Sequence, residues 1–185
     1  ERYLESPRHI EFQILGDHHG SVIHLGEREC SIQRRHQKLL EESPSPVISD
    51  KVRRKMGALV ADAALAVQYT NAGTFEFLMD DKGHFYFMEV NTRVQEQIRI
   101  AAGERLSVRQ SDVTFTGHSL ECRVNAEDPE TFVPSPGVIH AFSIPGGPGV
   151  RDDTAAHSEC TITPYYYSMI ATVIVHGRDR AESIA

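Results

Sequence analysis

The sequence predicts an α+β fold, with a mixed first part over residues 1–105 and a mostly antiparallel second part over residues 106–185. Three observations carry this. Residues 8–15 alternate strictly between apolar and polar. Val52, Met56, Leu59, Val60, Ala63 and Val67 recur at helical spacing. From His118 onward, short apolar runs are punctuated by Pro134-Ser135-Pro136-Gly137 and Pro145-Gly146-Gly147-Pro148-Gly149.

Each element has a local reason. In residues 8–15, Ile10, Phe12 and Ile14 share one face while His9, Glu11 and Gln13 lie exposed on the other, the pattern of a half-buried strand. Asp17-His18-His19-Gly20 turns the chain, and residues 21–25 return as the second strand of a hairpin. Ser49 or Asp50 can cap a helix running to about Tyr69, because a side-chain oxygen there accepts one of the unpaired N–H groups of the first turn. A second hairpin joins residues 73–79 to 85–90 around Asp80-Asp81-Lys82-Gly83. Residues 96–102 form a short helix stopped by Gly103, and residues 118–125, 138–144 and 169–175 read as strands.

Composition excludes several classes. The chain has 185 residues, 40% hydrophobic and 24% charged, which fits an ordinary folded protein and not a disordered one. No apolar run approaches the roughly 18 residues of a membrane-spanning helix. A net charge of −7 argues against nucleic acid or an anionic membrane as partner. Three cysteines, Cys30, Cys122 and Cys160, have no paired spacing and read as packing residues, which suits a cytoplasmic or organelle-matrix protein. The opening without Met and the close on what reads as a helix just begun suggest a fragment.

The second hairpin carries the first chemical signal. With its turn centred between Lys82 and Gly83, Glu76 stands opposite Glu89, Leu78 opposite Phe87 and Thr74 opposite Asn91. Period two then gathers Glu76, Glu89, Asn91 and Arg93 on one face. Opposed carboxylates repel, and a divalent cation relieves that repulsion; hydrated surface acids, or a salt bridge to Arg93, would also account for them. An odd loop would slip the register and separate the pair. A second concentration is the run Gln33-Arg34-Arg35-His36-Gln37-Lys38, which can hold an oxyanion but is also what a solvated face looks like. His9, Glu11 and Gln13 are a third candidate, with a plain polar sheet face as the alternative.

Longer motifs identify the chain more closely. The stretches 1–11 (ERYLESPRHIE), 26–38 (GERECSIQRRHQK), 73–77 (GTFEF), 87–93 (FMEVNTR), 118–129 (HSLECRVNAEDP) and 134–137 (PSPG) closely resemble biotin carboxylase, the ATP-grasp component of acetyl-CoA, propionyl-CoA, methylcrotonyl-CoA and pyruvate carboxylases. The resemblance implies the second half of an ATP-grasp domain followed by an incomplete biotin carboxylase C-terminal domain. It also implies a ligase chemistry, in which ATP phosphorylates bicarbonate to carboxyphosphate and the carboxyl group passes to carrier-bound biotin.

By match of position, the Glu1 side chain and the backbone of Arg2 and Leu4 would read adenine, while His9, Gln33 and His36 would meet ribose and phosphates. Glu76, Glu89 and Asn91 would hold Mg²⁺ or Mn²⁺. Lys38, Arg93 and Gln95 would cradle bicarbonate and the transferring phosphoryl group, and Arg123 would stabilise the biotin enolate. A biotin carboxyl carrier, a carboxyltransferase and a second copy of the chain are the implied partners, with fatty acid biosynthesis the setting if acetyl-CoA is the acceptor.

The departures matter too. The family continues past Gln95 into a Val-Glu-His-Pro-Val-Thr-Glu stretch that carries the bicarbonate base, whereas here Glu96 follows directly. Tyr167 and Thr172 stand where the family usually has Asp and Lys, at positions implied in its subunit interface together with Arg151. Without the phosphate lid, the upstream lysines and that base, the 185 residues alone are expected to be inactive. A non-catalytic carboxylase-like scaffold is the rival reading.

Overall fold

A computed structural model describes residues 3–92 and 97–185. In chain order the elements are β1 (Arg8–Gly16), β2 (Val22–Arg34), β3 (Gln37–Ser43), α1 (Asp50–Ala66), β4 (Asn71–Met79), β5 (Phe85–Thr92), α2 (Gln97–Ala101), β6 (His118–Asn125), β7 (Gly137–Val138), β8 (Val150–Thr154), β9 (Thr161–Ile162), β10 (Met169–Gly177) and α3 (Arg180–Ile184). They divide into two compact units, Glu1–Ser31 with Glu42–Thr116, and Ile32–Glu41 with Gly117–Ala185.

In the first unit the strands lie in the order β5-β4-β1-β2, all antiparallel. Its core joins Ile10, Phe12 and Ile14 of β1 to Phe75, Phe77 and Met79 of β4 and to Ile48, Val60 and Ala64. Phe12 and Phe77 meet edge to face with centroids 6.1 Å apart. The opposite face of β1 differs from expectation. Glu11 and Gln13 are buried and His9 is partly so, because each finds a polar partner: Arg28 for Glu11, the Gly73 carbonyl for Gln13, and Glu76 for His9.

Strand β2 runs nine residues past its predicted end at Leu25. Phe12 pairs with Glu27 but Ile14 with His24, so Leu25 and Gly26 together face Gln13 in a β-bulge. The bulge breaks the period-two pattern, which hides the rest of the strand from sequence reading. Gly26 adopts φ +80° there, and a Cβ would lie 2.5 Å from the Phe115 ring.

Helix α1 begins as predicted, with Ser49 Oγ accepting the Val52 N–H. Its buried residues are Arg53, Gly57, Val60 and Ala64, while Leu59, Ala63 and Val67 are exposed, so the buried face is rotated from the expected one. Two contacts set that rotation. The His24 ring occupies the space beside Gly57, where a Cβ would come within 2.3 Å of it. Arg53 turns inward to Glu27, its Nε 2.7 Å from Oε2 and its Nη2 2.7 Å from Oε1.

In the second unit the strand order is β3-β6-β10-β8, with β7 and β9 paired separately. Strand β6 has its predicted bounds, and β10 extends two residues beyond them. The strand expected over 138–144 shrinks to Gly137–Val138; Ile139 still exchanges backbone hydrogen bonds with Cys160 and Glu159, but further on the N–H of Phe142 is taken by the Ser158 hydroxyl. Strands β3 and β8 were not predicted; Val150-Arg151-Asp152-Asp153-Thr154 has no apolar alternation and is held by its ladder to β10. Only Cys30 packs as expected. Cys122 is exposed, since the outer half of β6 lacks the cover its alternation implied, and Cys160, just before β9, is only partly buried.

Candidate active site

The β4–β5 hairpin does oppose Glu76 to Glu89 and Thr74 to Asn91, but by a different route from the one sequence reading supposed. The loop is Asp80 to His84, closed by the Asp80 N–H on the His84 carbonyl at 3.0 Å. The Asp80 carboxyl lies at about 2; burial pushes it up, but the N–H and ring of His84 and the N–H of Lys82 hold it down. This loop is odd, so Leu78 faces Tyr86 and not Phe87. Continued unbroken, the register would set Met88 against Glu76. A bulge at Met88 absorbs one residue and brings Glu89 back opposite Glu76.

The side chains then form one connected group. Asn91 Nδ2 donates to Glu76 Oε1 at 2.7 Å and to Glu89 Oε1 at 3.0 Å, joining the two carboxylates. His9 Nε2 lies 2.6 Å from Glu76 Oε2. Glu76 is only 2% exposed, which rules out a hydrated surface acid at that position, whereas Glu89 is exposed. On β1, Glu11 stands opposite Glu76, so three carboxylates line up across three strands, and Arg28 on β2 ends the row opposite Glu11. Period two in the sequence sets Glu11 beside His9, whereas its place beside Glu76 depends on the non-local pairing of β1 with β4.

The donor set fits a hard divalent cation. His9, Glu11 and Glu76 each offer a ligand atom, all within 4.8 Å of one another. Thr74 Oγ1, buried and without a hydrogen-bond partner, sits in the next row between Gln13 and Asn91. The His9 nitrogen is a softer donor and is already turned to Glu76; the carboxylate oxygens, with the Asn91 amide and Thr74 hydroxyl oxygens beside them, are the type that Mg²⁺ and Mn²⁺ take.

Other predicted site residues belong to the second unit. Arg35 and His36, with φ +49° and +65°, form the two-residue turn between β2 and β3, and Gln33 and Lys38 flank it partly buried. The basic run is therefore a hairpin tip and not a uniform patch. Arg34 is committed elsewhere: its Nη1 lies 2.8 Å from Glu127 Oε2 and its guanidinium 4.2 Å from the Phe132 ring centroid. The Ser168 hydroxyl and the guanidinium of Arg34, with the charge of Arg35, hold the Glu127 carboxyl below its usual range against the effect of burial. Arg123 is gripped by Glu41 and by Glu121, the latter at 3.2 Å. Tyr167 is exposed on a cleft of about 430 Å³ that Arg34 and Arg35 also line. Leu4 precedes β1, half-buried in the first unit. Glu1, Arg2, Arg93, Gln95 and Glu96 lie outside the described residues.

Residues 1–108 match the model of the carbamoyl-phosphate synthase L chain ATP-binding domain, and residues 121–185 match that of the biotin carboxylase C-terminal domain. The chain belongs to the biotin carboxylase family. A biotin carboxylase of Nostoc sp. is 54% identical over 201 aligned positions, against the 185 residues here, covering 100% of this chain and 45% of the relative. A pyruvate carboxylase component of Methanothermobacter thermautotrophicus is 50% identical, covering 100% of the chain and 41% of that protein.

The biotin carboxylase domain dimer of Hydrogenobacter thermophilus 2-oxoglutarate carboxylase, solved with MgADP, ADP and bicarbonate, superposes with a TM-score of 0.96 at 49% identity, covering 100% of this chain and 44% of that one. The chain thus spans less than half the length of these relatives. Among the described residues no helix is long and apolar enough to cross a membrane.

Proposed function

We propose that this chain supplies part of the ATP site and the start of the C-terminal domain of a biotin carboxylase, which uses ATP and bicarbonate to carboxylate carrier-bound biotin. The observation that carries the proposal is the Asn91 amide joining buried Glu76 to Glu89, with His9 on the far side of Glu76. Two carboxylates are kept together at a cost that serves no packing purpose, and a divalent cation bound to the phosphates of ATP gives them one. In that reading Glu76, Glu89 and Asn91 hold Mg²⁺ or Mn²⁺, which when bound neutralises charge on the phosphate oxygens.

The other roles follow the family resemblance: Glu1, Arg2 and Leu4 for adenine; His9, Gln33 and His36 for ribose and phosphates; Lys38, Arg93 and Gln95 for bicarbonate and the phosphoryl group. Arg123, fixed by Glu41 and Glu121, presents a guanidinium that need not reorganise when negative charge develops on biotin. Bicarbonate, a biotin carboxyl carrier, a carboxyltransferase and a second copy of the chain are the proposed partners, with a cytoplasmic or organelle-matrix location. The relatives include pyruvate and 2-oxoglutarate carboxylases, so the proposal extends to carboxylation of biotin and not to the final acceptor.

The test is made on this chain joined to the remaining length of a biotin carboxylase like its relatives. ATP cleavage there should depend on bicarbonate and biotin, and Glu89→Gln should raise the Mg²⁺ concentration needed at least tenfold, roughly the loss of one charged ligand. No turnover at all in a folded protein favours the scaffold reading, whereas turnover that does not depend on biotin rules out biotin as the acceptor.

A further inference from the structure

The row of opposed residues across the first unit's sheet reads Arg28, Glu11, Glu76, Glu89. Glu11 is completely buried, next to Glu76 and within ligand distance of it, yet its charge is engaged from the other side. Arg28 Nε donates to Glu11 Oε1 at 2.6 Å, and Arg28 Nη2 donates to the same oxygen. The guanidinium is itself anchored, since Nη2 also reaches Gln13 Oε1 at 3.1 Å and Gln13 Nε2 is tied to the Gly73 carbonyl at 2.9 Å. Gln13 and Gly73 belong to the neighbouring positions of β1 and β4, so the anchor is built into the same strands that carry the carboxylates.

From this geometry we infer that Arg28 is a positioning residue that withdraws Glu11 from the cation and holds the site at two working carboxylates. The inference rests on the proposed metal role of Glu76 and Glu89 and concerns how strongly that site binds. A third ionised carboxylate within reach would raise the charge and ligand count, and both tighten binding and favour larger cations that accept more oxygens. A site that must share its ion with ATP phosphates needs open positions and moderate affinity. By taking the Glu11 charge, Arg28 supplies both. A purely structural ion pair would predict the opposite sign, because losing it would loosen the strands and weaken binding.

The experiment is Mn²⁺ binding to the 185-residue chain, followed by the electron paramagnetic resonance of free Mn²⁺, without nucleotide. The unaltered chain should bind Mn²⁺, and Glu89→Gln should lose most of that binding; failure here refutes the metal reading itself and the inference with it. Given that result, Arg28→Met should tighten Mn²⁺ binding about tenfold, and the double variant Arg28→Met/Glu11→Gln should return it to the original value. Glu11→Gln alone keeps the strands paired and should change Mn²⁺ affinity less than about twofold, because the charge it removes is already spoken for. Unchanged or weaker binding in Arg28→Met would overturn the inference while leaving the metal reading intact. So would a loss of affinity beyond tenfold in Glu11→Gln, which would make Glu11 a direct ligand.

Discussion

Removing the amide of Asn91 tests the hairpin directly. Asn91→Ala deletes two hydrogen bonds, one to Glu76 Oε1 at 2.7 Å and one to Glu89 Oε1 at 3.0 Å. The first ends on a carboxylate only 2% exposed, where a bond to a charged acceptor contributes about 1.5–3 kcal/mol. The second ends on an exposed carboxylate and adds little after solvent screening. Without the bridge the opposed acids repel across the strands, a further few tenths of a kcal/mol. The expected loss is about 2 kcal/mol, and with a urea m-value of about 2 kcal/mol/M the unfolding midpoint of the first unit should fall by about 1 M. Glu89→Gln is the control: it removes one of the repelling charges, so its midpoint should move by no more than about 0.2 M. Urea unfolding followed by far-ultraviolet circular dichroism measures both. Equal losses in the two variants, or a shift below about 0.2 M for Asn91→Ala, would refute the idea that the amide holds the pair together.

Two further outcomes follow from the helix side of the same unit. Arg53→Met leaves Glu27, 1% exposed, as an uncompensated buried charge and should cost about 3–5 kcal/mol in the same urea assay, with Arg53→Met/Glu27→Leu recovering a substantial part; a loss below about 1 kcal/mol would mean the pair is dispensable. Burial pushes the His24 imidazole below its usual pKa, only partly opposed by Glu27, so the unfolded chain takes up a proton near pH 6.5 that the folded one refuses. The stability contributed by neutral His24 is therefore present above about pH 6.5 and lost as the pH falls below it; His24→Gln should flatten that part of the stability profile, and an unaltered slope would remove His24 as its cause.

What could be read from the sequence, and what could not, separates along physical lines. Strand β6, the start of α1 and the 73–79 and 85–90 hairpin were legible because local periodicity and a capping residue decide them. The buried face of α1 was not. Its orientation depends on Arg53 finding Glu27 and on His24 filling the space beside Gly57, contacts between residues 26 and 33 positions apart that no local pattern records. The polar face of β1 was misjudged for a similar reason, since polar residues look exposed until their partners on adjacent strands are known. At the site, the residue types pointed to carboxylate chemistry and the long motifs to its family, but Glu11 became a member of the row only when β1 was seen beside β4.

That row depends on two irregularities, one at either end. If β2 paired with β1 without its bulge, the register of Ile14 with His24 would continue and set Glu27 opposite Glu11, sending Arg28 to the other face. If β5 paired with β4 without the bulge at Met88, the register at the turn would continue and set Met88 opposite Glu76, sending Glu89 to the other face. The unbroken sheet would therefore read Glu27, Glu11, Glu76, Met88: three carboxylates, at least two of them buried side by side, with no guanidinium to offset them and no Asn91 amide in register. The bulged sheet reads Arg28, Glu11, Glu76, Glu89, in which Glu11 is paired with Arg28 and the Asn91 amide joins Glu76 to Glu89. Gly26, with its φ of +80° and no room for a Cβ against Phe115, is what permits the first exchange. The chemistry of the site is thus set by two extra residues in the strands as much as by the acids themselves, because in a sheet of period two a single inserted residue decides which side chains share a face.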